Sequence, residues 1–320
     1  MTTKLSIIVP VYNVEQYIRP CVESIFRQGL DENAYEVILV NDGTKDNSFG
    51  VIEDIIRSHS NIIIVEQKNQ GLSAARNTGM TKATGDYVLF VDSDDLLIGN
   101  TLGNLTAELS ESTPDILFAG FVKMTNEEID TKEIKPQEDF SCRETTGRKS
   151  FLEDYDARQC YAWRAFYKRS FLEANQLCFI PGIYFEDVPF TTECYLKAGK
   201  CIRTDYTFYI YRQRPGSIVS AINKKKVMDF NHVIARLWEL RKQNLTTAED
   251  CQLMDAISTT FSIEMWYVSH TPELYADRKE IIADLKEKVP DLSFQGCLRQ
   301  KIKSFLFKYA PTLCVKLHAR

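Results

Sequence analysis

Short apolar runs alternate with amphipathic stretches over the first 120 residues of the chain. The runs are nearly continuous, as in strands buried on both faces of a parallel sheet, at 5–10, 35–40, 62–66, 86–91 and 116–122. Helical periodicity separates them, at 14–26 (interrupted by Pro20), about 48–57, 71–78 and from about 100. This alternation predicts βαβ units, and therefore an α/β fold with a mostly parallel central sheet flanked by helices.

The pattern changes after residue 122. Residues 123–149 are mostly polar and predict a surface excursion, whereas the aromatic-rich stretch 151–175 is expected to be helical in parts. A loop at 180–187 leads to a helix that ends near 198, and 201–212 alternates as a strand does. From 223 onward we expect three or four helices, the last at about 298–309. We therefore predict one domain over 1–220 and a mainly helical C-terminal region over 221–320.

Three aspartates follow the apolar run at 86–91: Asp92, Asp94 and Asp95, with Ser93 between the first two. Like charges at a strand end repel one another and resist desolvation, so a fold avoids them unless they face a cation or a polyphosphate. Asp92 and Asp94 lie on the same side of an extended chain, and hard oxygen ligands suit Mg²⁺ or Mn²⁺. The structural alternative is a solvated turn that caps the next helix.

Polar residues also follow the first two predicted strands. Tyr12 and Glu15 come directly after Pro10, where an aromatic face and a carboxylate could hold a base and a ribose. Asp42 follows the second strand and could accept a hydrogen bond from a pyrimidine imide. Each also suits a plain turn role. Because ligands of open α/β sheets bind beyond the carboxyl ends of strands, we expect these residues to converge with the aspartates.

Charged residues outside the strand ends complete the candidate site. Arg76 and Asn77 lie near the start of a short helix, where Arg76 could grip a diphosphate or simply neutralise the aspartates. Asp187, preceded by Glu186, begins a helix. It could act as a general base, or it could simply stabilise the helix through a favourable interaction with the helix dipole. Arg212 belongs to a basic loop, 211–217, that could close over a diphosphate. Trp163 is expected in the core.

Composition narrows the function classes. The chain has 320 residues and a net charge of −5, which argues against a nucleic-acid groove. Its nine cysteines include no CxxC pair, which favours free thiols in a reducing compartment. No apolar run is long enough to span a bilayer, and the first strand begins too early to leave room for a signal peptide. We therefore expect a cytoplasmic protein.

The last 23 residues, 298–320, differ in charge from the rest. They contain six Lys or Arg and no acidic residue, so the remainder of the chain carries −11. Apolar residues that share a helical face are Leu298, Ile302, Phe305, Leu306 and Tyr309. Such a basic amphipathic segment can lie on the inner face of an anionic membrane, making the protein peripheral, or it can dock on the core or on a second subunit. The oligomeric state stays open.

Five motifs occur in a fixed order along the chain: SIIVPVYN at 6–13, VNDGTKD at 40–46, GLSAARN at 71–77, FVDSDD at 90–95 and FED at 185–187. Together they resemble glycosyltransferase family 2, the inverting family with a GT-A (Rossmann-like) fold, of the kind that builds bacterial polysaccharides. The resemblance is strong over 5–122 and extends to about 220. It implies a donor half at 1–122 and an acceptor half at 150–220.

The resemblance also implies ligands and roles. The donor would be a nucleotide sugar, usually a UDP-sugar, used with Mn²⁺ or Mg²⁺. The acceptor would be a saccharide, often lipid-linked, in capsule, O-antigen or other surface polysaccharide synthesis. Residues matching the family's nucleotide and diphosphate contacts are Pro10, Tyr12, Glu15, Asp42, Arg76, Asn77, Asp92, Ser93 and Arg212. Asp92 and Asp94 match the DxD pair, with Asp94 the direct metal ligand, and Asp187 matches the catalytic base.

One position departs from the family pattern. Members often have a histidine in the loop at 211–217, and this chain has Arg214 in that region, which favours a cationic contact with phosphate. Two alternatives remain. A sugar nucleotidyltransferase would want a Gly-rich basic loop after the first strand, which this chain lacks. A non-catalytic nucleotide-sugar-binding or interaction protein would not need Asp92, Asp94 and Asp187 intact.

Overall fold

The computed structural model describes residues 4–214, 222–294 and 298–318. The chain forms two compact units, each built from several segments. The first contains Met1–Gly147, Tyr161–Gly182 and Lys197–Pro215; the second contains Arg148–Cys160, Ile183–Leu196 and Gly216–Arg320. The division predicted at residue 220 is between a catalytic region and a helical region. The two compact units do not test it, so it stays a prediction.

Four parallel strands begin the sheet of the first unit. They are β1 (Leu5–Val11), β2 (Tyr35–Asn41), β3 (Ile62–Glu66) and β4 (Tyr87–Phe90), in the spatial order β3-β2-β1-β4. Every residue of β1 and β4 is buried, which explains their continuous apolar sequence. The predicted parallel sheet is confirmed for these strands, and their carboxyl ends lie along one edge.

Five further strands extend the same sheet: β5 (Leu96–Leu97), β6 (Ile116–Thr125), β7 (Cys142–Thr145), β8 (Ala165–Lys168) and β9 (Cys201–Gln213). The order continues β4-β8-β6-β9-β5, with β7 also paired to β9. Only β6 and β9 run parallel here, so this half of the sheet is mixed. β8 was not predicted, because its four residues gain strand character from pairing with β4 and β6 rather than from local pattern.

The helices in chain order are α1 (Ile18–Phe26), α2 (Glu53–Ser58), α3 (Leu72–Lys82), α4 (Leu102–Ser112), α5 (Asn126–Thr131), α6 (Gly147–Glu153), α7 (Arg169–Ala174), α8 (Asp187–Lys197), α9 (Lys224–Leu240), α10 (Thr247–His270), α11 (Pro272–Lys288), α12 (Leu298–Tyr309) and α13 (Pro311–Leu317). Pro20 lies in the first turn of α1, where its missing N–H costs no hydrogen bond, so the helix starts there instead of kinking. The excursion at 123–149 contains α5 and β7.

The second unit is mainly helical. Five helices follow residue 223, where three or four were expected, because the chain turns again at Pro311. α9, α10 and α11 bury an apolar core that includes Val233, Leu237, Ile257 and Ile281. In the part of the chain that the structure describes, no helix is both long and apolar enough to cross a bilayer.

Candidate active site

The aspartates that follow β4 lie at the carboxyl edge of the sheet, as predicted. Asp92 and Asp94 keep 26% and 24% of their side chains exposed, whereas Asp95 is fully buried. The buried carboxylate of Asp95 accepts hydrogen bonds from the Tyr209 hydroxyl at 2.8 Å and from the Arg212 N–H at 2.7 Å. The first two aspartates, Asp92 and Asp94, therefore border solvent, while Asp95 anchors the turn to β9.

Two arginines pair with the exposed aspartates. Arg76 Nη2 lies 2.8 Å from Asp92 Oδ1, and the Arg76 side chain is only 1% exposed. Arg214 Nε lies 2.7 Å from Asp94 Oδ2. Arg212 adds a hydrogen bond from its Nε to the Asp94 carbonyl oxygen at 2.6 Å. Arg76 and Arg214 thus both neutralise aspartates of the cluster. For Arg76, this is one of the two roles that the sequence suggested.

Tyr17, just before α1, supports both arginines of the β9 end. Its ring centroid lies 5.4 Å from the Arg212 guanidinium and 4.6 Å from that of Arg214. Cation–π contacts of this kind hold a guanidinium in place without occupying its N–H donors. Sequence reasoning missed Tyr17, since a single half-buried tyrosine carries no pattern. The part of the predicted loop beyond Arg214 lies outside the described residues.

Burial makes ionisation of Asp94 and Asp95 costly despite these arginines. Burial and the charge of Asp92 raise the pKa of Asp94, and Arg214 only partly opposes them. Burial, followed by the charges of Asp94 and Asp92, raises the pKa of Asp95 well above its ordinary value. A site that disfavours its own carboxylate charge is one where an added cation would be stabilising.

Asp92 and Asp94 fit a divalent cation by this observation. They are hard oxygen donors, partly exposed, and the surrounding electrostatics favour added positive charge. Among the described residues, no group of three or more His, Cys, Asp or Glu could hold a metal alone. The arrangement therefore suits Mg²⁺ or Mn²⁺ that takes its other ligands from phosphates and water.

Tyr209 links the cluster to an aromatic stack. Its hydroxyl accepts a hydrogen bond from the Asp92 N–H at 3.1 Å and donates one to Asp95. Its ring stacks on Trp163 at 4.1 Å, and Trp163 stacks on Tyr161 at 4.7 Å. Trp163 is 1% exposed, so its assignment to the core is confirmed. The stack fixes the ring whose hydroxyl shapes the aspartate turn.

The turns after β1 and β2 meet, as the parallel topology requires. Backbone N–H groups pair with side chains across them: the Glu15 N–H with Asp46 at 2.9 Å, and the Asn47 N–H with Glu15 Oε2 at 3.0 Å. Tyr12 is exposed at this edge, and Pro10 is buried inside β1. An aromatic face is thus available where β1 ends.

Asp42 is buried, and its carboxylate is hydrogen-bonded to other residues of the protein. Its carboxylate accepts hydrogen bonds from Gln67 Nε2 at 2.7 Å and from the N–H groups of Gln70 and Gly71, both at 2.8 Å. Gly71 has a φ of +88°, a conformation that glycine adopts without strain, and α3 begins directly after it. Asp42 therefore holds the turn that leads into the helix carrying Arg76.

Asn77 is committed to the backbone of Phe179. Its amide group donates to the Phe179 carbonyl oxygen at 2.8 Å and accepts from the Phe179 N–H at 2.9 Å. The Phe179 ring in turn lies 5.1 Å from the Arg76 guanidinium. Asn77 thus positions the ring that covers Arg76. Ser93 is buried within the aspartate turn.

Asp187 lies in the second unit, as the first residue of α8. It is half-buried, and Glu186 before it is buried. Phe185 has a φ of +63°, a strained conformation for a residue with a Cβ. Two contacts with α9 hold this turn: the Phe185 ring stacks on Phe230 at 4.0 Å, and the Tyr184 N–H donates to Asp229 Oδ2 at 3.0 Å.

Sequence reasoning found the acidic pair at 186–187 but missed its supports. Asp229 and Phe230 lie more than forty residues further along the chain, within an ordinary amphipathic helix pattern. A strained non-glycine residue is held only where its surroundings over-determine it, and such residues cluster at functional sites. The structure thus brings Asp92, Asp94, Arg76 and Arg212 together in the first unit, and it places Asp187 on a constrained turn in the second.

The sequence matches the model of a known protein family. A sequence profile described as "Glycosyl transferase family 2" matches residues 6–175, which is more than half of the chain. The chain belongs to glycosyltransferase family 2. This membership removes the sugar nucleotidyltransferase alternative and confirms the resemblance carried by the five motifs.

Particular relatives include the uncharacterized glycosyltransferase EpsJ of Bacillus subtilis, 37% identical over 72% of this chain and 66% of EpsJ. The glycosyltransferase GlyA of Streptococcus pneumoniae is 34% identical over 67% of this chain and 31% of GlyA. The chain thus spans just under two thirds of the first relative and about a third of the second.

A solved structure shares the whole fold. Residues 1–349 of Staphylococcus aureus TarS, crystallised with UDP-GlcNAc, superpose with a TM-score of 0.74 at 22% identity. The match covers 99% of this chain and 89% of that one. TarS is named a poly(ribitol-phosphate) β-N-acetylglucosaminyltransferase. The predicted fold class, an α/β glycosyltransferase fold with a helical C-terminal region, is confirmed.

Proposed function

We propose that this chain is an inverting, metal-dependent glycosyltransferase. It transfers a hexosyl or N-acetylhexosaminyl group from a UDP-sugar to an acceptor hydroxyl in surface polysaccharide synthesis. The observation that carries the proposal is the aspartate pair at the end of β4, which borders solvent and is flanked by Arg76 and Arg214.

The choice of donor and product draws on the relatives. TarS binds UDP-GlcNAc in its crystals and is named for transfer to a polymer. In this chain the exposed ring of Tyr12 and the carboxylate of Glu15 offer a surface for the base and ribose beside the end of β1. The described cysteines, eight in all, are free thiols, which suits a cytoplasmic reaction.

Asp187 is the proposed general base. A carboxylate at the first residue of α8 lies where the helix dipole favours negative charge, which suits a group that accepts a proton. It takes the proton of the acceptor hydroxyl while the hydroxyl oxygen attacks the anomeric carbon from the face opposite UDP. The bond to the UDP oxygen breaks in the same step, which inverts the configuration.

The first unit handles the leaving group. Asp92 and Asp94 would hold the cation, which when bound supplies positive charge to the departing diphosphate. Arg214 pairs with the Asp94 carboxylate. If a cation bound to that carboxylate, the Arg214 guanidinium would be released and could bind a phosphate of the donor instead. Asp42, Asn77 and Ser93 act by positioning Arg76 and the aspartate turn. Negative charge that develops on UDP thus meets preorganised cations.

The decisive experiment separates donor binding from turnover. Purified protein is screened for Mn²⁺-dependent release of UDP from a panel of UDP-sugars, with UDP affinity measured by calorimetry. In Asp187→Asn, turnover should fall by about 10²–10⁴-fold, the usual contribution of a general base, while UDP affinity stays unchanged.

Glu193→Gln is the matched control. Glu193 lies on the same helix, six residues beyond Asp187, and it pairs with Arg236 at 2.7 Å rather than with substrate. Its variant should keep the wild-type rate. Unchanged turnover in Asp187→Asn would refute the base assignment, and UDP binding without turnover on any donor would favour the non-catalytic alternative.

A further inference from the structure

The last two helices carry apolar residues on two opposite faces. One face docks on α10: Phe307, Cys314 and Val315 are buried, and the Phe307 ring lies 5.2 Å from that of Phe261. Lys303 Nζ adds hydrogen bonds of 2.8 Å to the hydroxyls of Ser258 and Ser262. These helices therefore dock on the helical core, one of the three alternatives that the sequence left open, and they do so through Phe307 rather than through the apolar face predicted from the sequence.

Three residues of the predicted face are exposed to solvent. Ile302, Phe305 and Tyr309 on α12 are 47%, 61% and 65% exposed, and Leu313 on α13 is 49% exposed. We call these four residues the outer stripe. The spacing of three and four residues along α12 puts the first three on one side of the helix, and the rings of Phe305 and Tyr309 lie 5.0 Å apart. Because α12 docks through another face, the fold does not need the outer stripe apolar.

Lysines accompany the outer stripe. Lys301, Lys308 and Lys316 are exposed on the same two helices, and 298–320 contains no acidic residue. The rest of the chain carries −11, so an anionic surface attracts this segment and repels the remainder. Charge therefore selects which side of the molecule can approach such a surface.

We propose that the outer stripe docks on an anionic membrane surface, with its apolar side chains at the headgroup boundary and its lysines among the headgroups. The geometry is that of an interfacial helix lying in the membrane plane, in which buried apolar area and electrostatic attraction act together. Aromatic rings such as Phe305 and Tyr309 suit that boundary, since one carries a polar tip. This inference does not depend on which sugar is transferred, or on transfer itself.

A second copy of the chain fits the outer stripe less well. In a two-fold contact the same patch meets itself, so Lys301, Lys308 and Lys316 would face lysines with no acid between them. Such like-charge juxtaposition disfavours association. The observations thus favour a lipid surface, and self-association becomes an outcome of the test.

The test is cosedimentation of the full chain with vesicles of phosphatidylcholine alone or mixed with phosphatidylglycerol. Wild type should pellet with the mixed vesicles and be released by high salt, because the attraction is partly electrostatic. The double variants Phe305→Ser/Tyr309→Ser and Lys301→Glu/Lys308→Glu should each lower the partition coefficient by at least about tenfold.

Leu152→Ser is the matched control, since Leu152 is an exposed apolar residue, 41% exposed, on a helix of the same unit. It should pellet like wild type. All variants are checked for an unchanged melting temperature and for unchanged UDP release from a soluble donor, so that loss of folding or activity is distinguished from loss of docking.

Two outcomes would overturn the proposal. Wild type could stay in the supernatant with both kinds of vesicle, or the double variants could pellet as wild type does. A dimer in solution that Phe305→Ser/Tyr309→Ser dissociates would assign the outer stripe to a second copy instead.

Discussion

The two units hold their candidate functional carboxylates by different means. In the first, the aspartates after β4 are fixed by charge and hydrogen bonds from Arg76, Arg214 and Tyr209. In the second, the turn before Asp187 contains a strained residue, Phe185, which packing on Phe230 holds in place. The first arrangement suits a site whose net charge changes when a cation or a diphosphate binds. The second suits a single carboxylate whose orientation must stay fixed. Substitutions at the supports should therefore act differently in the two units.

The largest effect on UDP affinity is expected at Arg76. Arg76→Met keeps the apolar contact with Phe179 but leaves Asp92 without its buried partner. Breaking a buried ion pair at one partner costs about 3–5 kcal/mol; because Asp92 is partly exposed and water can solvate it, we expect the lower end of that range or less. Chemical denaturation measures the loss, and UDP affinity should fall with it.

The control for Arg76 is Arg57→Met. Arg57 pairs with Glu53 on the exposed face of α2, where an ion pair contributes little. Its variant should unfold at the wild-type denaturant concentration. Equal stability of the two variants would mean that the aspartate cluster does not rely on charge pairing.

The sequence predicted features that depend on local pattern, and it did not predict contacts between residues that are far apart in the chain. β1, β2 and β4 and the residues at their ends were predicted, because a strand buried on both faces has an apolar sequence whatever surrounds it. The partners of those residues were not. Tyr209 lies over one hundred residues from Asp92, and nothing local distinguishes its hydroxyl from that of any buried tyrosine.

The same limit explains α12. Its amphipathic pattern was visible, but two apolar faces compete on one helix, and only the packing against Phe261 shows that Phe307 docks. The strain at Phe185 was also invisible, since a positive φ is usually expected at glycine. Sequence thus identifies residues that bear chemistry, whereas the residues that hold them come from long-range packing.

A substitution at Phe230 tests whether aromatic packing on Phe185 holds the turn before Asp187. Phe230→Ala removes the ring that holds Phe185, and truncating a buried phenylalanine costs about 3–5 kcal/mol. We expect turnover to fall by about tenfold or more at a temperature where the variant is folded, because the Asp187 turn loses its direction. UDP affinity, which we assign to the first unit, should not change.

Phe261→Ala is the matched control for Phe230. Phe261 is fully buried in the same helical unit but packs against Phe294 and Phe307 rather than against the Asp187 turn. It should lose similar stability and keep the wild-type rate of donor turnover. If both variants slow turnover equally, the effect is general destabilisation and not direction of Asp187.

Tyr209→Phe gives a smaller effect in the first unit. The ring stack on Trp163 stays, but the Asp92 N–H loses its acceptor and Asp95 loses a donor, at a cost of about 1–3 kcal/mol. Mn²⁺ affinity in the presence of UDP should weaken. Tyr206→Phe, which removes a hydroxyl of the same strand that meets Asn104, should lower stability without changing Mn²⁺ affinity. Equal Mn²⁺ affinities in the two variants would contradict a positioning role for Tyr209.

Glu264 on α10 differs from the carboxylates of both sites: it is fully buried, and among the residues that the structure describes neither of its carboxylate oxygens has a hydrogen-bond partner. Burial, with the charge of Asp284 adding to it, raises its pKa well above the ordinary value of 4.5. The folded protein therefore keeps a proton that the unfolded chain releases, so this contribution to stability is present below pH 4.5 and is lost as pH rises through the folded-state pKa.

Glu264→Gln removes that titration, and its stability relative to wild type should increase with pH above 4.5, by about 1.4 kcal/mol for each pH unit within the window. Urea titrations at pH 5 and pH 8 measure the difference, with the exposed Glu273→Gln on α11 as the control that should show none. A pH-independent difference for Glu264→Gln would mean that Glu264 is charged in the folded state. The helical unit would then tolerate an unpaired buried charge, which the first unit avoids by pairing Asp92 and Asp94 with arginines and giving Asp95 two hydrogen-bond donors.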